Sequence, residues 1–120
     1  MKTNLLILLA LFSSTAFGQT WNTQANIPEG KHHPITFALN GKGYSLTGTD
    51  STGQPTDGVF EYDPVTNAWS VLPDFPGLAR SYGIGTTANG KAYFGFGATN
   101  SSYMKDFWSF DPTSGTYTQL

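Results

Sequence analysis

The chain has 120 residues, 15% of them aromatic and only 12% charged, with 14 glycines, 7 prolines and no cysteine. A formal net charge of −2 argues against a basic surface for nucleic acid or anionic lipid. The missing cysteine excludes disulfides, thiolate metal sites, a lipidated cysteine anchor and a cysteine nucleophile. Few charges with many aromatics and glycines suit an all-β fold of short strands and tight turns, held by core packing alone.

Residues 1–18 carry the three-part pattern of a secretory signal peptide. Lys2 supplies the positive start and residues 5–12 the apolar run, while Ala16 and Gly18 place small residues at −3 and −1 of a cut before Gln19. A membrane-spanning helix needs about 20 apolar residues, so no transmembrane segment is expected in the mature chain. The expected location is secreted, periplasmic or cell-surface.

A short strand is expected at about residues 20–26, closed by Ile27-Pro28-Glu29-Gly30. The apolar run 35–39 then enters Asn40-Gly41, a pair that favours the left-handed backbone of a type I′ hairpin. A second strand continues through Tyr44 and Leu46 to Gly48. Residues 49–57, polar and interrupted by Gly53 and Pro55, read as a loop. Val59 to Tyr62 alternates into Asp63-Pro64-Val65-Thr66-Asn67, where proline presets φ and the aspartate side chain closes the turn. Residues 68–72 form a fourth strand, ended by Pro73-Asp74-Phe75-Pro76-Gly77.

The same order then returns. Strands are expected at 83–88, 91–97, 106–111 and 116–120, with a polar loop over 98–105. Asn40-Gly41-Lys42 recurs as Asn89-Gly90-Lys91, 49 positions on. Trp21, Trp69 and Tyr117 are spaced by 48 and 48, as are Pro28 and Pro76, and Tyr62 and Phe110. The one-residue drift falls in loops, where a stacked repeat tolerates it because the buried face fixes strand register. Tyr44, Tyr62, Trp69, Tyr93, Phe110 and Tyr117 occupy repeating strand positions, where packing between neighbours needs bulk.

These residues resemble the kelch repeat: a glycine doublet ending strand two, a tyrosine in strand three and a tryptophan some six residues later. Tyr62 and Trp69 match, with Asp63-Pro64 and Thr66-Asn67 between them; Phe110 and Tyr117 match by substitution. The doublet is degraded to Thr47-Gly48 and Phe96-Gly97. Leu78-Ala79-Arg80-Ser81 resembles the family's Pro-x-x-Arg segment, with Lys31 one repeat earlier. The resemblance implies β-propeller blades of four antiparallel strands, roughly 50 residues each. The expected architecture is therefore a partial propeller: an extra N-terminal strand, one blade over about 31–72 and a second over about 80–120. Closure takes roughly four to eight blades. The remaining blades are expected from a longer form of the same protein, or from an oligomer if the chain is whole.

In such a blade the 1–2 and 3–4 connections share one face and the 2–3 and 4–1 connections the other. The second face holds the longer loops and is where variable binding residues are expected. It carries Lys31, His32, His33, Asp50, Arg80, Ser81, Tyr82, Asn100 and Ser101. Arg80 is the leading candidate, because a guanidinium can clamp a carboxylate bidentately; the competing reading is that it pairs internally to fix the blade. His32-His33 suggests a metal, but neighbours on a strand point to opposite faces, so no shared ion is expected. Asp63 and Asp111 lie in turns on the opposite face and read as structural. No catalytic constellation and no cofactor site is visible.

The function expected is an exported binding module that contacts a glycan or a protein through its loop face. The resemblance offers alternatives: a secreted kelch-type enzyme such as a sialic acid mutarotase-like protein, and more remotely a galactose oxidase-like copper enzyme. A cell-surface spacer with no ligand is the third reading.

Overall fold

The computed structural model describes residues 19–120; the expected signal peptide lies outside the described residues. Eight strands follow in order: β1 (Ile35–Leu39), β2 (Lys42–Leu46), β3 (Val59–Asp63), β4 (Ala68–Leu72), β5 (Ile84–Ala88), β6 (Lys91–Gly95), β7 (Phe107–Asp111) and β8 (Thr116–Gln119). They form two four-stranded sheets, β1-β2-β3-β4 and β5-β6-β7-β8, antiparallel throughout. No helix occurs among the described residues. The fold is all-β, built of two repeated four-stranded units.

Local chemistry sets each hairpin. Asn40 and Gly41 take φ of 52° and 77°, and Asn89 and Gly90 take 50° and 74°. Two successive left-handed residues give the type I′ turn whose twist matches the flanking strands. At the other hairpin of each sheet, Asp63 Oδ1 accepts from Val65 N at 2.8 Å and Asp111 Oδ1 from Thr113 N at 2.9 Å. These short side-chain bonds close the Asp-Pro turns.

Strands β2 and β6 end two residues earlier than the sequence suggests. Thr47 and Gly48 (φ 59° and 99°) and Phe96 and Gly97 (φ 60° and 85°) all leave the β region. Such a pair cannot continue a ladder. The strand expected at about 20–26 is likewise not formed: residues 19–27 make no ladder. In the repeat this segment corresponds to β4, which pairs only with the third strand of its own blade, and no such strand precedes it among the described residues. Side chains hold it instead. Ala25 N donates to Asn67 Oδ1 (2.7 Å), Trp69 Nε1 to Ala25 O (2.9 Å), and Tyr62 Oη to Gln24 Oε1 (2.8 Å).

The core lies between the two blades, where β1 rests on β5 and β6. Ile35, Phe37, Leu39, Tyr44, Leu46 and Val59 of the first blade meet Ala92, Phe94 and Phe110 of the second. Phe75, in the linker, closes this layer at 1% exposure. Its ring stands edge-on to Phe94, Trp108 and Tyr117 at 5.3, 5.1 and 5.8 Å, the T-shaped geometry favoured by ring quadrupoles. Of the aromatics expected in the core, Tyr44 and Phe110 are fully buried; Tyr62, Trp69, Tyr93 and Tyr117 are half-buried. Neighbour contact decides the difference. Ile35 is 0% exposed beneath the second blade, whereas Ile84, its repeat equivalent on the uncovered face, is 63% exposed.

Candidate functional site

The loops 47–58, 73–83 and 96–106 gather at one end of the two sheets, joined by a backbone network that repeats from blade to blade. His32 and Thr49 exchange bonds of 2.9 and 3.0 Å; Ser81 and Ala98 exchange equivalents of 2.9 and 2.8 Å. Across the seam, Gly48 N donates to Arg80 O (2.7 Å) and Tyr82 N to His33 O (3.0 Å). This end is therefore a rigid platform.

Arg80, the leading candidate for a ligand clamp, is spent on the fold. It is 1% exposed, and its guanidinium forks onto Asp106, with Nη1–Oδ1 at 2.5 Å and Nη2–Oδ2 at 2.8 Å. Nε donates to Leu78 O (2.9 Å), and the group lies over the Phe75 ring at 5.1 Å. The hydrogen bonds from Arg80, helped by that of Trp108 Nε1, hold the Asp106 carboxyl down at about 2. Four of the five guanidinium N–H groups are thus spent, counting Nη1 to Phe96 O at 3.3 Å, and burial closes the group to a ligand. The internal-pairing reading is the right one for Arg80.

Lys31 occupies the same place one repeat earlier and is also buried. Its ammonium donates to Thr56 Oγ1 (2.6 Å), pairs with Glu29 (3.4 Å) and sits over Phe60 at 5.0 Å. Ser81 is 4% exposed and tied into the Ala98 bridge. Asp50 Oδ1 accepts from Thr52 N, Thr52 Oγ1 and Gln54 N at 2.8, 2.7 and 3.0 Å; the Thr52 hydroxyl bond foremost, then Gln54, lowers its carboxyl pKa. It shapes its own loop. Asn100 donates to Gln54 Oε1 (3.1 Å), linking the two blades' loops, while Ser101 remains exposed with its amide on Thr99 Oγ1 at 3.2 Å.

His32, His33 and Tyr82 stay open. The Tyr82 ring stacks on His33 with centroids 4.1 Å apart and is 59% exposed. The two imidazoles do not point to opposite faces. His33 takes φ of 53° outside any strand, so the strand alternation invoked for the pair does not apply, and their Nδ1 atoms lie 2.8 Å apart. Beyond Tyr82 opens a cleft of about 560 Å³ lined by Phe96, Gly97, Ala98, Tyr103 and Met104. Phe96 is 43% and Tyr103 87% exposed. Neither was singled out from the sequence, although a phenylalanine where the repeat favours glycine is the kind of local rule-breaking that marks a special position.

Comparison with known proteins gives the repeat its name. A family model, the Kelch motif, matches residues 44–76, the span from within β2 through β4 to the linker. This stretch carries a kelch motif. The solved structure of YjhT superimposes with a TM-score of 0.76 at 21% identity, covering 88% of this chain and 42% of that one. The two sheets are thus β-propeller blades, and the chain spans less than half the length of that structure's chain. No curated protein matches it.

Proposed function

We propose that this chain serves an exported glycan-binding module, whose kelch loop face holds the sugar at the His33–Tyr82 seam. The observation that carries the reading is the exposed aromatic stack: Tyr82 laid on His33, next to a cleft flanked by Phe96 and the 87%-exposed Tyr103. Aromatic faces with a polar tip take up the C–H face of a pyranose while the rim supplies hydrogen bonds. Both stacking residues sit on backbone pinned across the seam, so binding orders little that is not already ordered. Export rests on the charged, apolar and small-residue pattern of residues 1–18.

The test is a glycan array followed by calorimetry on the best ligand, repeated with Tyr82→Ala and Tyr103→Ala. Each variant should weaken binding at least tenfold with an unchanged far-UV spectrum. A chain that binds no glycan, or a double variant that binds as well as the parent, would refute the reading and leave the spacer. Turnover of the bound sugar, read by NMR, would move the protein to the enzyme alternative. The chain should be recovered outside the cytoplasm with its amino terminus at Gln19; retention in the cytoplasm with Lys2 intact would remove the export claim.

A further inference from the structure

The loop face also carries a pair of nitrogen ligands, one of which, His33, is shared with the proposed sugar-stacking seam. We infer that His32 and His33 chelate a late first-row divalent cation through their Nδ1 atoms, with Cu2+ bound more tightly than Ni2+ and Ni2+ more tightly than Zn2+.

The argument begins with the backbone. His32 is fixed by its two bonds to Thr49, and the His33 carbonyl accepts from Tyr82 N. The left-handed φ at His33 turns its ring to the same side as that of His32. The rings meet edge to face at 5.0 Å, and stacking on Tyr82 limits the second ring's rotation. Both rings are exposed, and the 2.8 Å Nδ1–Nδ1 contact is one bridging proton held between two lone pairs. A cation bound there displaces the proton, the donor ring taking one up at Nε2 instead, so that both Nδ1 lone pairs face the metal at their present separation.

The separation selects the metal. With metal–nitrogen bonds of about 2.0–2.1 Å, nitrogens 2.8 Å apart subtend roughly 85–90° at the ion. That is the cis angle of a square-planar or tetragonal site, the geometry of Cu2+ and Ni2+. A tetrahedral Zn2+ site needs about 3.3 Å between the nitrogens at the same bond length. The order of intrinsic affinities points the same way, with Cu2+ highest. No third His, Cys, Asp or Glu joins the pair among the described residues, so water or an incoming ligand fills the remaining positions.

The experiment is titration of the chain with CuCl2, NiCl2 and ZnCl2, with electron paramagnetic resonance of the copper form. One Cu2+ per chain is expected, with an axial spectrum split by two imidazole nitrogens. His32→Gln or His33→Gln should each weaken Cu2+ binding at least tenfold, and the double variant should lose the two-nitrogen spectrum while keeping its far-UV signature. Copper that binds the double variant as tightly as the parent overturns the proposal, because it then lies elsewhere. Zn2+ binding tighter than Cu2+ overturns the bite argument, and no copper binding overturns both.

Discussion

Replacing Asp106 with asparagine keeps the volume at the Arg80 site and removes only the charge. Arg80 is 1% exposed and Asp106's side chain 21%, so the guanidinium would be left buried against a neutral amide. Breaking a buried pair from one side costs about 3–5 kcal/mol; the retained amide oxygen, still able to accept from Trp108 Nε1, places Asp106→Asn near the lower end. The pH dependence gives a second handle. Asp106 is held down at about 2 in the fold against 3.8 ordinarily, a difference corresponding to about 2 kcal/mol. Because the folded value is the lower one, that stability is fully present above about pH 5 and is lost as pH falls. About half should be gone by pH 3 and most by pH 2. Urea unfolding of both proteins from pH 7 to pH 2 measures this directly. The gap should be about 3 kcal/mol at neutral pH and shrink toward acid. A variant within about 0.5 kcal/mol of the parent at pH 7, or a gap that does not narrow, would refute the structural assignment of the pair and return Arg80 to the list of ligand groups.

Three further substitutions probe the repeat itself. Gly97→Ala should destabilise by more than about 3 kcal/mol: φ is +85°, and a Cβ there would strike Ser81 O and lie 2.7 Å from Gly83 N; urea midpoints near the parent's would contradict it. Phe75→Ala removes the ring that three aromatics meet edge-on and should cost about 3–5 kcal/mol by the same assay, with a loss under about 1 kcal/mol showing that the linker does not seal the core. Thr47→Gly, although it empties a fully buried position, should leave stability within about 0.5 kcal/mol of the parent. It relieves a left-handed β-branched residue and a buried hydroxyl with no hydrogen-bond partner, together worth roughly 2–3 kcal/mol. Against this stand two lost buried carbons and greater chain entropy, together about 2–2.5 kcal/mol. A clearly lower melting temperature would show that the hydroxyl has a role in the fold.

The strands were legible because their signals are local. Asn-Gly and Asp-Pro each dictate a turn by their own backbone chemistry, and the run between two turns has nowhere to be but a strand. The strand expected at about 20–26 failed for the opposite reason: its pattern is right, but a strand exists only against a partner, and pairing is not a property of one segment. The site residues divide in the same way. Sequence spacing puts Arg80 and Lys31 on the loop face, but not whether a carboxylate reaches them first. Asp106 lies 26 residues beyond Arg80, and only the β6–β7 turn-back brings them together. The orientation of the histidine pair, not its metal binding, is what differs, because strand alternation does not apply to a residue with positive φ. Phe75 was hidden between two prolines in what reads as a linker, yet it fills the space that closes the second blade.

The two blades solve one packing problem with different chemistry, and the difference shows which part of the repeat is essential. At the linker's end each blade buries a cation, Lys31 or Arg80, against an aromatic ring, Phe60 or Phe75. In the second blade Asp106 answers the charge; in the first, the equivalent position is Gly58, and Lys31 reaches the Gly58 carbonyl at 3.4 Å and Thr56 instead. A guanidinium needs a planar acceptor fork, whereas an ammonium is satisfied by scattered oxygens, so each partner set suits its own cation. What persists is a buried donor that ties the incoming linker to the following β2–β3 or β6–β7 loop. That tie sets the loop platform at the height where His33 meets Tyr82. The open cluster therefore owes its geometry to buried cations, and its exposed side chains are free to vary from blade to blade while the buried donors hold the loops in place.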